Sequence, residues 1–129
     1  MEPKEEQQKP TVLVAEDNAS NYKLFEAVLS RGYDLRHAWD GQEAVAMFAQ
    51  VNPKAVLMDV AMPVMDGYEA TRAIRAVNAA VPIIGLTAHA FFEDEKKCYA
   101  AGMTEYMVKP INIALLRKRL AESVAAYSK

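Results

Sequence analysis

The chain has 129 residues, 52% hydrophobic and 25% charged, and this length and balance predict one globular domain rather than a disordered, collagenous or coiled-coil chain. Seventeen acidic against fifteen basic side chains give a net charge of −2, which disfavours a dedicated DNA- or RNA-binding domain because such domains usually carry a basic excess. A single cysteine, Cys98, excludes an intramolecular disulfide and a multi-cysteine zinc site, and the lack of a secretory signal or of an apolar run near the roughly 20 residues of a membrane span predicts a cytoplasmic protein without membrane insertion.

Residues 1–10 differ sharply in composition from the rest of the chain. They are polar, include two prolines and show no hydrophobic periodicity, so we expect a disordered N-terminal tail that cannot offset its own ordering entropy. Residues 11–129 then form the folded domain. This arrangement is compatible both with a stand-alone protein and with one domain of a longer chain.

From residue 11 onwards, short apolar runs alternate with segments of helical periodicity. The runs predict five strands, at residues 11–15, 33–38, 55–58, 81–87 and 105–108. The periodic segments predict five helices, at residues 19–31, 41–50, 68–77, 93–101 and 112–126. Asp40, followed three residues later by a glutamate, is expected to form a capping-box variant, and Asp66 to cap the next helix. In the first helix, Leu24, Phe25 and Val28 are expected to share one face.

Strands that alternate regularly with helices indicate an α/β domain with an open, mostly parallel sheet and helices on both faces. Crossover connections between parallel strands are right-handed, which leaves only a few doubly wound topologies. In such sheets the functional site lies outside the carboxyl ends of the strands, which share one edge.

Chemically active side chains follow four of the five predicted strands. Glu16 and Asp17 come directly after the first strand and Asp59 after the third. Thr87 ends the fourth strand and Lys109 follows the fifth. Each residue alone is more often a helix cap, a satisfied hydroxyl or a surface lysine. Together they occupy independently predicted strand ends, and this conjunction predicts one crevice that holds three carboxylates, a hydroxyl and an ammonium.

Three carboxylates close together would repel one another in a site of low dielectric constant unless a cation compensated their charge. Mg²⁺ is a hard cation that prefers carboxylate, water and phosphate oxygens. We therefore assign Asp17 and Asp59 as direct metal ligands and Glu16 as a residue that holds a metal-bound water. The backbone carbonyl of Ala61 is expected to complete the ligand set.

A magnesium site opposite a lysine points to phosphoryl chemistry, which requires mainly positioning and charge neutralisation. Lys109 is expected to bind one phosphoryl oxygen and the Thr87 hydroxyl another. Asp59 lies on the central predicted strand, between the other contributors. It is therefore the best candidate for a covalent phosphoryl acceptor.

Several motifs together resemble the receiver domain of two-component response regulators. They are VLVAEDN at 12–18, VLMDVAMPVMDG at 56–67, PIIGLTAHA at 82–90, AGM at 101–103 and YMVKP at 106–110. The resemblance extends from Thr11 to the C-terminus. It is strongest to the receivers of hybrid histidine kinases and to single-domain response regulators.

The resemblance implies a flavodoxin-like (βα)5 fold with strand order 2-1-3-4-5 and a signalling role without a separate turnover substrate. Asp59 would accept a phosphoryl group from a phosphohistidine on a histidine kinase or histidine phosphotransfer protein. Both this reaction and the later hydrolysis of the phosphoaspartate would be self-catalysed and dependent on Mg²⁺, for which Mn²⁺ substitutes. Thr87 and Lys109 would hold the phosphoryl group, and the Lys109–Pro110 peptide would be cis. Tyr106 would then repack, and the surface of the fourth helix, fifth strand and fifth helix would change for a downstream protein target rather than for nucleic acid.

Residues 88–92 are the segment expected to move when the aspartate is phosphorylated. His89 is expected to border the phosphoryl group, and Ala61 to leave room for an attacking water, so that both tune hydrolysis. Tyr22 on the first helix either docks a phosphodonor helix or packs at the surface.

Two other functions stay open at this point. A small Mg²⁺-dependent phosphohydrolase would also use a covalent aspartate, although the sequence shows no cap domain, no pocket-building insertion and no second acid two residues after Asp59. An interaction domain with a vestigial site would keep the fold without accepting phosphate on Asp59.

Overall fold

The computed structural model describes residues 9–88 and 92–127, without the side chain of Phe92. Within this part of the chain, strands and helices alternate in the predicted order. The strands are β1 (Thr11–Ala15), β2 (Asp34–Ala38), β3 (Ala55–Asp59), β4 (Ile83–Thr87) and β5 (Glu105–Val108). The helices are α1 (Ala19–Leu29), α2 (Gly41–Val51), α3 (Gly67–Val77), α4 (Phe92–Ala101) and α5 (Ile113–Tyr127).

The strands form one parallel sheet in the order β2-β1-β3-β4-β5, which confirms the doubly wound, flavodoxin-like topology. Ala15 pairs with Ala38 and Thr87 with Val108, so the carboxyl ends of the strands lie along one edge. The peptide Lys109–Pro110, directly after β5, is cis, as the resemblance implies.

Apolar side chains cover both faces of the sheet, as expected for parallel strands enclosed by helices. Nearly every residue of β1, β3 and β4 is buried. On one face, α2, α3 and α4 contribute Phe48, Ile74 and Cys98 to the core. On the other face, α1 and α5 contribute Phe25 and Leu120. Each large side chain buried in this way stabilises the fold by roughly 1.5–3 kcal/mol, so the strand ends stand on a well-anchored scaffold.

The first helix differs from its prediction in two ways. α1 ends at Leu29 rather than Arg31, because Ser30 is the C-cap. Its buried stripe consists of Phe25 and Leu29, one turn apart, whereas Leu24 is 48% exposed. The expectation that Leu24 lies on one face with Phe25 is therefore wrong, because only Phe25 is buried. Consecutive residues of a helix point about 100° apart, so only one of Leu24 and Phe25 packs against the sheet.

Acidic N-caps begin two of the helices at the carboxyl edge. Asp66 accepts a hydrogen bond from Glu69 N at 2.9 Å, and Glu69 accepts one from Asp66 N, which completes a capping box. At α2, Asp40 accepts from Glu43 N at 2.8 Å. The Glu43 carboxylate accepts from Trp39 N, one residue earlier than in the usual motif. Both predicted caps are therefore confirmed, and the variant at α2 is a box displaced by one residue.

Among the described residues, no helix combines the length and the hydrophobicity needed to cross a bilayer. Residues 1–8 of the predicted tail lie outside the described part of the chain. The carbonyl of Pro10 accepts a hydrogen bond from Asp34 N at 2.9 Å. The division between a tail at 1–10 and a domain at 11–129 stays a prediction.

Candidate functional site

Three carboxylates meet at the carboxyl edge of the sheet. Glu16 and Asp17 follow β1, Asp59 ends the neighbouring β3, and one oxygen of each lies within 4.8 Å of the others. Glu16 is 1% exposed and Asp59 3%, whereas Asp17 is open to solvent. The structure thus brings together the three acids that the sequence assigns to this edge, with one of them facing the entrance.

Lys109 lies across from the acids, directly after β5. Its Nζ donates a hydrogen bond to Asp59 Oδ2 at 2.8 Å and lies 3.7 Å from Glu16 Oε1. Its backbone N donates to Thr87 O at 2.7 Å, which ties the lysine to the end of β4. The ammonium therefore compensates part of the negative charge that the acids bring together.

Glu16 has the most perturbed environment of the three acids. Burial first, and the charge of Asp59 second, raise the pKa of Glu16 from 4.5 to about 7, although Lys109 opposes this shift. Its Oε2 accepts hydrogen bonds from Asn18 N at 3.2 Å and Asn21 Nδ2 at 3.4 Å. Within the described part of the chain, no hydrogen-bond donor reaches the buried Oε1. A buried oxygen in this state costs free energy that a bound cation would recover.

Asp59 and Glu16 keep Lys109 in its charged form. Burial alone would lower the pKa of Lys109, but the hydrogen bond and the charge of Asp59, with a further contribution from Glu16, outweigh burial and raise the pKa. Lys109 is therefore an ammonium at neutral pH. A positive group fixed beside Asp59 is well placed to compensate charge added to that carboxylate.

The loop after β3 orients Asp59. The amide of Ala61 donates to Asp59 Oδ1 at 2.9 Å, so one donor addresses each carboxylate oxygen, Lys109 being the other. The loop closes at Gly67, whose amide donates to Val60 O at 3.1 Å. A Cβ on Gly67 would lie 2.2 Å from the Asp59 carbonyl oxygen. Glycine is therefore required for this close approach.

The donor set fits a hard divalent cation. Grouped carboxylate oxygens, an unsatisfied oxygen on Glu16 and an exposed acid on the open side are compatible with Mg²⁺. This ion binds one or two carboxylates and keeps water or phosphate in its remaining positions. The residues at this edge therefore match the cation that the sequence implies.

The other predicted site residues lie around this cluster or outside the described structure. Thr87 is buried at the end of β4. Tyr106 is half-buried on β5 and packs edge to face with Tyr99, with 6.0 Å between the ring centroids. His89 and residues 90–91, which belong to the segment expected to move, lie outside the described residues.

Two residues that contact the acids were given no role by the sequence. The side chain of Asn21 donates to Glu16, and His37 places Nε2 2.8 Å from the Glu16 carbonyl oxygen. The ring of His37 also stacks on Tyr22, with 3.8 Å between the centroids. The alternation of Leu35 and His37 along the second strand was the available signal, because it places both side chains on the same face of the sheet.

The nature of the domain follows from its match to a known family. The sequence matches the response regulator receiver domain over residues 12–121. The chain belongs to the response regulator receiver domain family. It is therefore a receiver domain of two-component signal transduction, and this family is not one of conventional enzymes. The match disfavours the phosphohydrolase alternative.

Relatives and solved structures agree with the family match. Hybrid signal transduction histidine kinase I of Dictyostelium discoideum is 40% identical to this receiver domain over 126 residues, which cover 90% of the chain and 7% of that protein. A Pseudomonas aeruginosa sensor histidine kinase receiver domain, solved with a magnesium ion coordinated in its active site cleft, matches with TM-score 0.85 and 40% identity, covering 92% of this chain and 99% of that one.

A receiver domain solved in a complex is also similar to this chain. The receiver domain of Ssk1 was solved with the histidine phosphotransfer protein Ypd1 of Saccharomyces cerevisiae, and it matches with TM-score 0.85 and 29% identity over 91% of this chain and 90% of that one. This receiver domain spans 7% and 12% of the first two curated relatives, so it corresponds to one module of those longer proteins.

Proposed function

We propose that this receiver domain accepts a phosphoryl group on Asp59 from a phosphohistidine of a histidine kinase or a histidine phosphotransfer protein. The observation that supports this most directly is the setting of Asp59, which is buried beside two other acids with the Lys109 ammonium 2.8 Å from Oδ2. The similar Ssk1 receiver, solved with a histidine phosphotransfer protein, supports a phosphotransfer protein as one class of donor.

Asp59 is the nucleophile in this scheme. A carboxylate oxygen forms a P–O bond while the P–N bond of the phosphohistidine breaks, and the electron pair goes to the imidazole nitrogen, which takes up a proton. Lys109 already contacts the reacting carboxylate and binds a phosphoryl oxygen as negative charge is added. In the self-catalysed hydrolysis, water attacks the phosphorus atom and returns Asp59 and inorganic phosphate.

Mg²⁺ supplies charge neutralisation and orientation of the phosphoryl oxygens when it is bound. Asp17 and Asp59 would bind the ion directly, Glu16 through a water and Ala61 through its backbone carbonyl. Because these donors are all oxygens, Mn²⁺ would substitute. The P. aeruginosa receiver with magnesium in its active site cleft supports this assignment.

Thr87 and Tyr106 would carry the change to the protein surface. Thr87 ends the strand beside the site, and its hydroxyl would turn to a phosphoryl oxygen. Tyr106, which packs on Tyr99, would then repack and alter the surface of α4, β5 and α5 for a downstream protein. Ala61 and His89 would set the rate of hydrolysis.

The proposed setting is the cytoplasm, with the domain at residues 11–129 acting through protein contacts after a tail at 1–10. A net charge of −2 supports protein partners over direct contact with nucleic acid, because nucleic-acid-binding domains usually carry a basic excess.

Intact-mass spectrometry tests the assignment of Asp59. The wild-type protein, incubated with acetyl phosphate and Mg²⁺, is expected to gain the mass of one phosphoryl group, and the gain should disappear on removal of Mg²⁺ with EDTA. Asp59→Asn should gain nothing. Asp66→Asn is the matched control, since asparagine is also a good N-cap and Asp66 stands seven residues along the same loop; it should gain the group as the wild type does.

Two results would contradict the proposal. A mass gain that persists in Asp59→Asn would show that another residue is the acceptor. No gain in the wild type from either acetyl phosphate or a phosphorylated phosphotransfer protein would favour an interaction domain with a vestigial site.

A further inference from the structure

Three aromatic rings pack together at the end of β2, beside the acids. The ring of His37 lies parallel to that of Tyr22 on α1, with 3.8 Å between centroids and 2° between planes. It also contacts Trp39, with 4.1 Å between centroids and 37° between planes. Two large neighbours therefore restrict the orientation of the imidazole.

This restricted ring reaches the backbone between two of the acids. His37 Nε2 lies 2.8 Å from the carbonyl oxygen of Glu16. A carbonyl oxygen can only accept, so Nε2 carries the hydrogen and donates it. The carbonyl belongs to the peptide that joins Glu16 to Asp17, and the contact therefore acts on the backbone from which both carboxylates extend.

The His37 side chain continues the hydrogen bonding between β1 and β2 beyond the last paired residue of β1. β1 ends at Ala15, paired with Ala38, and the amide of Glu16 still donates to Ala38 O at 3.0 Å. The carbonyl of Glu16 then receives its hydrogen bond from the His37 side chain. Both backbone polar groups of Glu16 are thus held by β2, one through the main chain and the other through the imidazole.

We propose that His37 is a positioning residue for the metal-binding acids: its Nε2–H, oriented by Tyr22 and Trp39, holds the Glu16–Asp17 peptide so that the Asp17 carboxylate reaches the cation directly and the Glu16 carboxylate reaches it through a water. This inference rests on the proposed magnesium site. Groups that orient metal ligands without touching the metal typically contribute about 10- to 100-fold to metal affinity. A backbone contact one step removed from the carboxylates belongs at the lower end of that range.

The test is the Mg²⁺ dissociation constant, measured by isothermal titration calorimetry on the unphosphorylated protein at one pH and ionic strength. His37→Phe keeps a ring for stacking but removes the donor, and it should weaken Mg²⁺ binding by about tenfold. His37→Gln returns an N–H donor at a similar distance from the backbone, and it should recover most of the affinity. Leu35→Met, on the same strand face opposite Val12, is the control and should bind Mg²⁺ as the wild type does.

A purely structural role for His37 would give a different pattern. His37→Phe would then lower the free energy of unfolding, measured with urea, while leaving the Mg²⁺ dissociation constant unchanged, and this result would overturn the proposal. Equal weakening in His37→Phe and His37→Gln would also overturn it, because the donor would not be the cause. If His37→Phe does not fold, Tyr22→Leu keeps the donor but removes the stacking ring, and its Mg²⁺ affinity should lie between those of the wild type and Asp17→Asn.

Asp17→Asn separates this proposal from the one on which it rests. If the wild type binds no Mg²⁺, or if Asp17→Asn binds it as tightly as the wild type, the metal site itself is wrong and the role of His37 falls with it. If Asp17→Asn loses Mg²⁺ while His37→Phe keeps wild-type affinity, the site stands and only the role of His37 is wrong.

Discussion

Polar groups are hydrogen-bonded more completely at the amino edge of the sheet, where the strands begin, than at the carboxyl edge, where they end. At the amino edge, the guanidinium of Arg75 donates to Gly102 O at 2.7 Å and to Asn78 O and Thr104 Oγ1 at 3.2 Å each. At the carboxyl edge, acids crowd around one ammonium, and within the described structure the buried Glu16 Oε1 has no hydrogen-bond donor.

The backbone geometry is also less favourable at the carboxyl edge than at the amino edge. At the amino edge, Asn78 Oδ1 accepts from Ala80 N and Val81 N at 2.9 Å each, which caps the turn into β4. At the carboxyl edge, the loop after β3 holds Val64 at a φ of 70°, which is unfavourable for a β-branched residue. The amino edge therefore joins elements through satisfied hydrogen bonds, whereas the carboxyl edge carries a buried, unsatisfied acidic oxygen and a residue with unfavourable backbone geometry.

Replacing Lys109 with methionine should have the largest effect, at the carboxyl edge. The change leaves Asp59 and Glu16 buried without their ammonium, so we expect the free energy of unfolding to fall by about 3 kcal/mol near neutral pH. Phosphoryl incorporation from acetyl phosphate should fall by more than about tenfold. Urea unfolding and intact mass measure the two effects. Lys118→Met, an exposed change on α5, should alter neither, and wild-type incorporation in Lys109→Met would remove the lysine from the mechanism.

Arg75→Ala should show that the amino edge serves stability alone. The loss of three hydrogen bonds and of packing by the aliphatic stem should lower the free energy of unfolding by about 2 kcal/mol. Mg²⁺ affinity and phosphoryl incorporation of the folded variant should match the wild type. Arg72→Ala, on the exposed face of the same helix, is the stability control. A change in Mg²⁺ affinity on Arg75→Ala would mean that the two edges are coupled.

Glu16→Gln should reveal the electrostatic cost of the crowded acids in metal-free protein. Burial first, and Asp59 second, raise the pKa of Glu16 to about 7, so the folded chain holds a proton that the unfolded chain releases from about pH 4.5 upwards. This contribution to stability is complete below pH 4.5 and is lost as pH rises through 7. Glutamine mimics the protonated form, so at about pH 8 the variant should be more stable by about 1–2 kcal/mol.

The pH profile of urea unfolding checks this sign. Between about pH 4.5 and 7, the wild type should lose stability relative to Glu16→Gln. Glu26→Gln, an exposed change on α1, should leave the profile unchanged. A profile for Glu16→Gln that runs parallel to the wild type across this range would show that Glu16 is not the titrating group.

Thr71→Val should have the smallest effect on the free energy of unfolding. It tests an unsatisfied buried oxygen that, unlike Glu16 Oε1, lies outside the acidic cluster. Among the described residues, no partner satisfies the buried Thr71 hydroxyl in α3, and valine has nearly the same shape without the unsatisfied oxygen. The free energy of unfolding should rise by about 1 kcal/mol, with unchanged phosphoryl incorporation. Thr71→Ala also removes the unsatisfied oxygen but leaves a cavity, so it should be less stable than Thr71→Val. Lower stability of the valine variant would show that the hydroxyl is satisfied in solution.

Much of the fold was predictable because short apolar strands and right-handed crossovers leave few topologies. The bounds of β1 and β5 match the sequence prediction residue for residue. The burial of Phe25 in place of Leu24 was not predictable from periodicity. Two adjacent apolar residues compete for one helical face, and the choice depends on how α1 sits against the sheet.

The functional site was likewise predictable only in part. Glu16, Asp17, Asp59 and Lys109 come together because parallel strands end at one edge, and sequence order alone supplies that information. The alternation of Leu35 and His37 indicates only the face of the sheet on which His37 lies. Its contact with the Glu16 carbonyl depends also on the register of β2 against β1 and on a side-chain rotamer, and neither leaves a motif in the sequence.

The stacked rings at the end of β2 also give the molecule an optical property. Trp39 is the single tryptophan of the chain; it is 47% exposed and contacts the imidazole that holds the Glu16 carbonyl. Indole fluorescence depends on neighbouring polar rings and on water. Stopped-flow emission from the unlabelled protein should therefore time the arrival of a cation or a phosphodonor without an attached dye.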